Sequence, residues 1–455
     1  MFAIARRFRI DMAIGMTVLQ RVWGVAAGLV MVLMTSTLFS KEMQGYYYTF
    51  NSLIALQAFF ELGLSFVLTQ LVSHEVVKLD ESHSASAAER QYAIDRIGLL
   101  SQSVRRWFAI LALLFAVGVG IGGLMFLKQG SAAVPPREWV GAWLLIVAAA
   151  SANLYYSPQL AIAEGTGKVA DVARLRLVQT IIGYVACWTI ILIHPTLYAA
   201  ACIGVVSALT SGWWLRRRSG IPSLVAQVVQ GAQGYGWRRD IFPLQWRIGI
   251  SWMSGYLLYQ VFTPFVFAHR GAAEAAMIGL SIAVFSNISL IAMSWMTATT
   301  PVLAGLVARG DRAELRRRFR TLFLQSIAFQ VVACIGLCAV ISTGQYLNLS
   351  IMHRFLPLPD LMLIGIVTSC NVSIFAFATF MRVHKEEPML WNSLACGLLV
   401  ACSTYFTSFW GARYVLAAYC AIIVAISLPW TIAIFVRYWR RSDAVVSDQL
   451  TTDVL

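Results

Sequence analysis

Apolar and polar positions in this chain are segregated on the scale of whole helices. Twelve mainly apolar stretches run over approximately 13–39, 46–72, 107–127, 139–163, 174–193, 196–215, 246–268, 276–308, 321–343, 359–381, 389–409 and 413–437. A bilayer core needs about 20 residues of helix at 1.5 Å rise each, so each stretch is of crossing length. Polar, Gly- or Pro-bearing breaks separate them. The pattern predicts an all-α polytopic membrane protein of about twelve transmembrane helices.

The stretch around Gly45–Glu75 departs from the others. It carries an acid, Glu61, midway along the run, and Gln57, Glu61, Ser65 and Thr69 recur at every fourth residue. Four residues advance a helix by about 40° beyond a full turn, so these side chains fall on one broad polar face. A carboxylate deep in a bilayer costs several kcal/mol unless it meets water or a partner. Two readings follow: a structural acid hydrogen-bonded inside the bundle, or a wet cavity lined by this helix.

Composition agrees with the membrane reading. Of 455 residues, 59% are hydrophobic and only 12% charged, about half the charge of a soluble domain. The eight cysteines (Cys187, Cys202, Cys334, Cys338, Cys370, Cys396, Cys402 and Cys420) lie in apolar runs without metal-ligand or disulfide spacing. The net charge of +14 is explained by placement. With the N-terminus cytoplasmic, 29 of the 35 Lys and Arg residues fall on that side. The other side keeps Lys41, Lys128, Arg137, Arg270, Arg354 and Arg413. This asymmetry predicts that both termini are cytoplasmic, with some affinity for anionic head groups. The basic N-terminus (Arg6, Arg7, Arg9) resembles the start of a signal peptide, but Arg21 interrupts the apolar run and no small-residue cleavage site follows. It is read as an anchor helix.

External loops are short throughout. The cytoplasmic stretch 216–245 is longer, mixes arginines with Trp237 and apolar residues, and reads as an amphipathic linker. The expected organisation is therefore a six-helix lobe over 1–215, the linker over 216–245 and a second six-helix lobe over 246–441. The polar tail over 442–455 is expected to be disordered. The halves echo one another: Arg21 in the first helix matches Arg247 in the seventh, and the polar second helix matches the eighth, with Ser286 and Asn287.

Three segments carry a family resemblance: KEMQGYYYTFNSLIALQAFFELGL from Lys41, PQLAIAEGTGKVADVARLRLVQ from Pro158 and FMRVHKEEPMLW from Phe380. They resemble the Wzx-type polysaccharide (O-antigen) flippases of the multidrug/oligosaccharidyl-lipid/polysaccharide exporter (MOP) superfamily, over all twelve helices. The resemblance implies a MATE-like fold of two lobes around a cavity that opens alternately to each side. It also implies that an undecaprenyl-pyrophosphate-linked oligosaccharide moves to the outer leaflet of a bacterial inner membrane, for O-antigen, lipopolysaccharide or exopolysaccharide synthesis. Many relatives carry aspartate where this chain has Glu61.

The residues themselves fit such a cargo. Arginine stays charged and bonds a pyrophosphate bidentately, and Arg21, Arg174 and Arg247 sit at cytoplasmic helix ends. The alternative for each is a side chain snorkelling to lipid phosphates. Tyr155 and Tyr156 are candidates to stack on sugars or to pack. Glu61 is the candidate ion-coupling residue, and Gln57 and Asn287 are candidate cavity-lining residues. Arg176 and Arg382 read as charges that set topology.

No enzymatic chemistry, cofactor or metal is expected. GTGK at 165–168 lacks the upstream Gly and the following Ser/Thr of a phosphate loop, and Gly165 and Gly167 more simply end a helix. His74 and His83 lack ligand spacing. Expected partners are the lipid-linked glycan, membrane lipid and other polysaccharide-assembly membrane proteins, not nucleic acid. A glycosyltransferase would need acids in an early external loop, which here is only about SKEMQG. A polymerase would show large external loops. A multidrug cation antiporter of the same fold is the remaining alternative, and it favours acidic and aromatic cavity residues over arginines.

Overall fold

A computed structural model describes residues 2–81, 87–129, 134–229, 235–237, 241–383 and 389–439. The tail 442–455, His83, Arg238, Arg239 and Lys385 lie outside the described residues. So do the side chains of Arg6, Arg7, Arg9, His74 and Arg247.

Among the described residues the chain is all helix and turn, with a helix at each of the twelve apolar stretches. The helices are α1 (Phe2–Leu38), α2 (Lys41–Ile54), α3 (Gln57–Glu61), α4 (Leu64–Glu81) and α5 (Ala87–Lys128). There follow α6 (Pro136–Ala163), α7 (Val169–Ile193), α8 (Ala199–Arg217), α9 (Ile221–Ala226) and α10 (Phe242–Tyr259). The remainder are α11 (Phe262–Arg270), α12 (Ala272–Arg309), α13 (Arg312–Tyr346), α14 (Leu358–Val383), α15 (Leu390–Thr407) and α16 (Ala412–Trp439). Local signals set several ends. Ser40 caps α2 by accepting from Met43 N at 3.1 Å, Pro136 opens α6, and Asp311 caps α13 through Glu314 N at 3.2 Å.

Eight helical stretches are long and apolar enough to cross a membrane, and nine if the bent pair Lys41–Glu61 and Leu64–Ser73 forms one span. One of the eight, Pro136–Ile193, has 58 residues and would measure about 87 Å if straight. It folds back instead. Both α6 and α7 pack along α8, which is only about 28 Å long, and Gly167 breaks the helix with φ 91°. Pro136–Ile193 is therefore a hairpin of two crossing-length helices.

The chain forms two compact units, Met1–Tyr256 and Leu257–Leu455. In the first, α6 is central and packs on α4, α5 and α8, while α7 packs on α1 and α8. Trp143 is fully buried against Phe50, with ring centroids 5.2 Å apart, and donates Nε1–H to Gly120 O at 3.0 Å. Gln179 Nε2 ties α7 to α8 by donating to the Thr210 and Ser211 hydroxyls at 2.9 Å each. Such cross-helix bonds satisfy polar groups that hydrocarbon cannot.

In the second unit α12 packs on α11, α13 and α14. Gln330 of α13 is buried and donates to Ser289 of α12 and Thr368 of α14, both at 3.2 Å. Asn392 joins α15 to α16 through Thr431 at 2.9 Å. The outer faces are apolar, with Leu192, Ile193 and Val332 largely exposed, as the solvent of a bilayer permits.

Candidate functional site

Cations in the first unit sort to its two ends. Lys168 Nζ donates to Arg218 O at 3.0 Å, and Gln179 bonds Ser211, so α7 and α8 run antiparallel with Arg174 and Arg176 near the end that carries Arg216–Arg218. Thr69 donates to Ala161 O at 3.2 Å, and Val72 lies against Gly165. The C-terminal part of α4 therefore reaches the same end, with Glu75 paired to Arg96 at 2.7 Å. Lys128 and Arg137 stand at the other ends of α5 and α6.

Glu61 occupies a break in this unit. It is the last residue of α3, and the next two residues, Leu62 (φ 48°) and Gly63 (φ 67°), are left-handed before α4 begins. The helix expected over 46–72 is thus not continuous: it turns at Ala55–Leu56, breaks at Leu62–Gly63 and bends by 45°. The break has a packing reason. Ile248 of α10 fills the place that a side chain on Gly63 would take, and Leu62 packs on Gly249. Only glycine satisfies both the positive φ and the close approach.

The polar stripe survives the break in altered form. Ser65, the second residue of α4, donates its hydroxyl to Glu61 Oε1 in a short bond. Thr69 Oγ1 donates to Ser65 O at 3.1 Å, and Ser73 Oγ to Thr69 O at 2.6 Å. Ser157 of α6 lies within reach of the carboxylate, and the charge of Arg176 of α7 acts on it from further away. Arg176 Nη2 in turn pairs with Glu164 Oε1 at 2.9 Å, across the wide turn Glu164–Lys168. Aromatic pairs flank the break: Phe59 with Tyr256 at 5.1 Å and Phe60 with Phe115 at 5.2 Å, both edge-on.

The sequence candidates are placed as follows. Glu61, Gln57, Tyr155, Tyr156, Arg21, Arg174 and the backbone of Arg247 all belong to the first unit, and Asn287 to the second. Gln57 begins α3, half-buried. The backbone of Arg247 adjoins Ile248, which abuts the Gly63 break, so α10 brings this position to the neighbourhood of Glu61. Tyr155 and Tyr156 are half-buried and edge-on to one another at 5.2 Å, one turn or less from Ser157. The Tyr156 hydroxyl lies against Gly212 of α8.

Arg174 is exposed on α7, and Arg21 is exposed on α1, which packs along α7. Neither has an ion-pair partner among the described residues. Asn287 donates to Ala283 O at 2.9 Å within α12. Sequence reasoning missed Glu164, Ser157 and the role of Arg176; Glu164 and Arg176 are twelve positions apart and meet only because the chain reverses between them.

These features define a helical membrane protein with an acid at a helix break and unpaired arginines on the same unit. No family model matches the chain, and no curated protein matches it. Solved structures do. A multidrug resistance MATE family transporter of the MOP superfamily, in its inward-facing conformation, superposes with TM-score 0.60 and 12% identity, covering 92% of this chain and 96% of that one. The lipid II flippase MurJ, in an inward closed conformation, gives TM-score 0.60 and 12% identity over 96% and 92%. A MOP superfamily transporter from Pyrococcus furiosus, described as having a binding pocket of reverse polarity, gives 0.53 and 15% over 95% of each chain. At these identities the likeness is one of fold: the chain has the MATE-like fold of MOP superfamily transporters.

Proposed function

We propose that this protein is a flippase that carries an undecaprenyl-pyrophosphate-linked oligosaccharide from the cytoplasmic to the outer leaflet of a bacterial inner membrane, by alternating access. Its product would feed O-antigen, lipopolysaccharide or exopolysaccharide assembly. The observation that carries this reading is the pairing of opposites in the first unit. Arg21 and Arg174 are exposed cations without counterions among the described residues, whereas Glu61 is withdrawn into a break and held by Ser65. An anionic head group that cannot cross hydrocarbon needs unpaired, forked cations to leave water. In this account Arg21, Arg174 and Arg247 receive the pyrophosphate, and Tyr155 and Tyr156 contact sugars. Glu61 couples transport to a proton or sodium ion, and Gln57 and Asn287 line the path. The lobes are 1–215 and 246–441, joined by the linker 216–245.

Both termini are cytoplasmic in this reading. A cysteine introduced at Ser223 should then react only with reagents reaching the cytoplasmic face, and one at Glu138 only from outside.

One observation favours a second reading, a multidrug cation antiporter. Glu61 is flanked by Phe59, Phe60 and Tyr256, the acid-plus-aromatic setting that suits an organic cation. A chromosomal deletion separates the two. The flippase reading expects loss of surface polysaccharide and accumulation of lipid-linked repeat units by mass spectrometry. The antiporter reading expects intact polysaccharide and drug sensitivity.

A further inference from the structure

The first unit carries a second feature, which shares Tyr156 with the proposed sugar contacts but none of the arginines assigned to the pyrophosphate, nor Glu61. Helices α6 and α8 meet through Tyr156 and Gly212 toward the cationic end without filling the space beside that contact. They leave a groove of about 530 Å³, within the range of about 300–1,000 Å³ typical of small-molecule sites. Its walls are small: Ala152 from α6, and Ala208 and Gly212 from α8, with Tyr156 seated on Gly212. The mouth is apolar and open, since Leu209 is 69% and Trp213 53% exposed. Side chains of this kind at a mouth face hydrocarbon, with tryptophan at the head-group level.

Arg216 and Arg217 close the end of the groove. Both are exposed, and neither has an acidic partner among the described residues. Arg218 stands over the Trp213 ring at 5.9 Å, and its carbonyl holds Lys168 Nζ, so more positive charge gathers behind them. From Ala208 to Arg217 the groove follows α8 for about 14 Å, apolar at one end and cationic at the other.

We propose that this groove is a binding site for an anionic phospholipid, with one acyl chain between α6 and α8 and its phosphate on Arg216 and Arg217. Charge complementarity selects the occupant: a diester phosphate supplies the counterion the two arginines lack, and an acyl chain matches walls of Ala and Gly. A lipid-linked sugar fits less well, because apart from Tyr156, the Trp213 indole N–H and the arginines the lining offers nothing polar to its hydroxyls. A groove of similar size in the second unit makes a useful contrast. It lies by Arg317 and Arg318, but Glu314 pairs with both at 2.6 Å, so half of its charge is already met.

Native mass spectrometry of the full chain, released from membranes of equal phosphatidylglycerol and phosphatidylcholine, tests this. The unmodified protein should retain phosphatidylglycerol in excess. Arg216→Gln and Arg217→Gln should each weaken that retention about fivefold, and the double variant about 25-fold. Arg317→Gln should leave it unchanged. Ala208→Leu, which fills the groove and keeps the charge, should also lose the lipid. Equal retention of the two phospholipids by the unmodified protein, undiminished retention by the double variant, or displacement of the phospholipid by an undecaprenyl-pyrophosphate carrier would each overturn the assignment. The head-group comparison on the unmodified chain stands whether or not any variant folds. Transport is not the readout, so failure here leaves the proposed function untouched.

Discussion

The hydroxyl of Ser65 reaches back across the Leu62–Gly63 break to the carboxylate of Glu61. The short helix α3 and the longer α4 of one bent pair are thereby joined by a side chain, at the point where the backbone ladder between them is interrupted. The acid also stands near Ser157, so helices α3, α4 and α6 converge on it. A charge change at Glu61 is transmitted to a joint, not merely to a helix surface.

Glu61→Gln retains the shape and removes the charge. If Glu61 couples an ion to transport, the variant should reach the membrane at normal abundance and transport should lose its dependence on the ion gradient, with activity at least tenfold lower under a full gradient. A fully active, still gradient-dependent Glu61→Gln protein would remove the ion role.

Gly63→Ala tests the break itself. A left-handed position with a side chain costs about 1–3 kcal/mol, and Ile248 must also move. The thermal midpoint in detergent should fall by at least about 2–4 °C. Pairing it with Ile248→Ala should recover part of the loss, because the φ cost remains.

Arg176 and Glu164 should behave as a structural pair of small energy. Arg176 is 47% exposed, so water screens the interaction, and a double-mutant cycle of Arg176→Ala and Glu164→Ala should report a coupling below about 1 kcal/mol. A much larger coupling would mean that the pair is shielded in the membrane.

The all-helical membrane architecture was legible in the sequence because bilayer-spanning runs announce themselves by length and apolarity, as at 321–343 within α13. The break at Leu62–Gly63 was not. Hydrophobic periodicity carries no information about φ, glycine is common in membrane helices, and the cause, Ile248, lies far away in sequence. Glu61 itself stood out by its cost in hydrocarbon, and Ser65 by its spacing. Arg176 was read as a topology charge because its partner is brought to it only by the reversal at Gly167. The groove by Arg216 was invisible for a related reason: its walls are alanines and glycine, which in sequence are filler.

Arg21 acts, in this account, through charge and fork geometry. Arg21→Ala should abolish export of the polysaccharide, and Arg21→Lys should restore it only in part, since lysine cannot bond two phosphate oxygens in a plane. Because Arg21 is exposed and unpaired among the described residues, neither change should lower membrane abundance. Normal export by Arg21→Ala would make Arg21 a topology charge.

The most direct measurement is transbilayer movement by the purified protein in vesicles. An undecaprenyl-pyrophosphate-linked oligosaccharide is placed in one leaflet, and its arrival in the other is followed by accessibility of the glycan to an impermeant glycan-cleaving enzyme. The account predicts arrival well above that in protein-free vesicles, lost with Arg21→Ala. Arrival no faster than in protein-free vesicles, together with gradient-driven efflux of an organic cation from the same preparation, would contradict it.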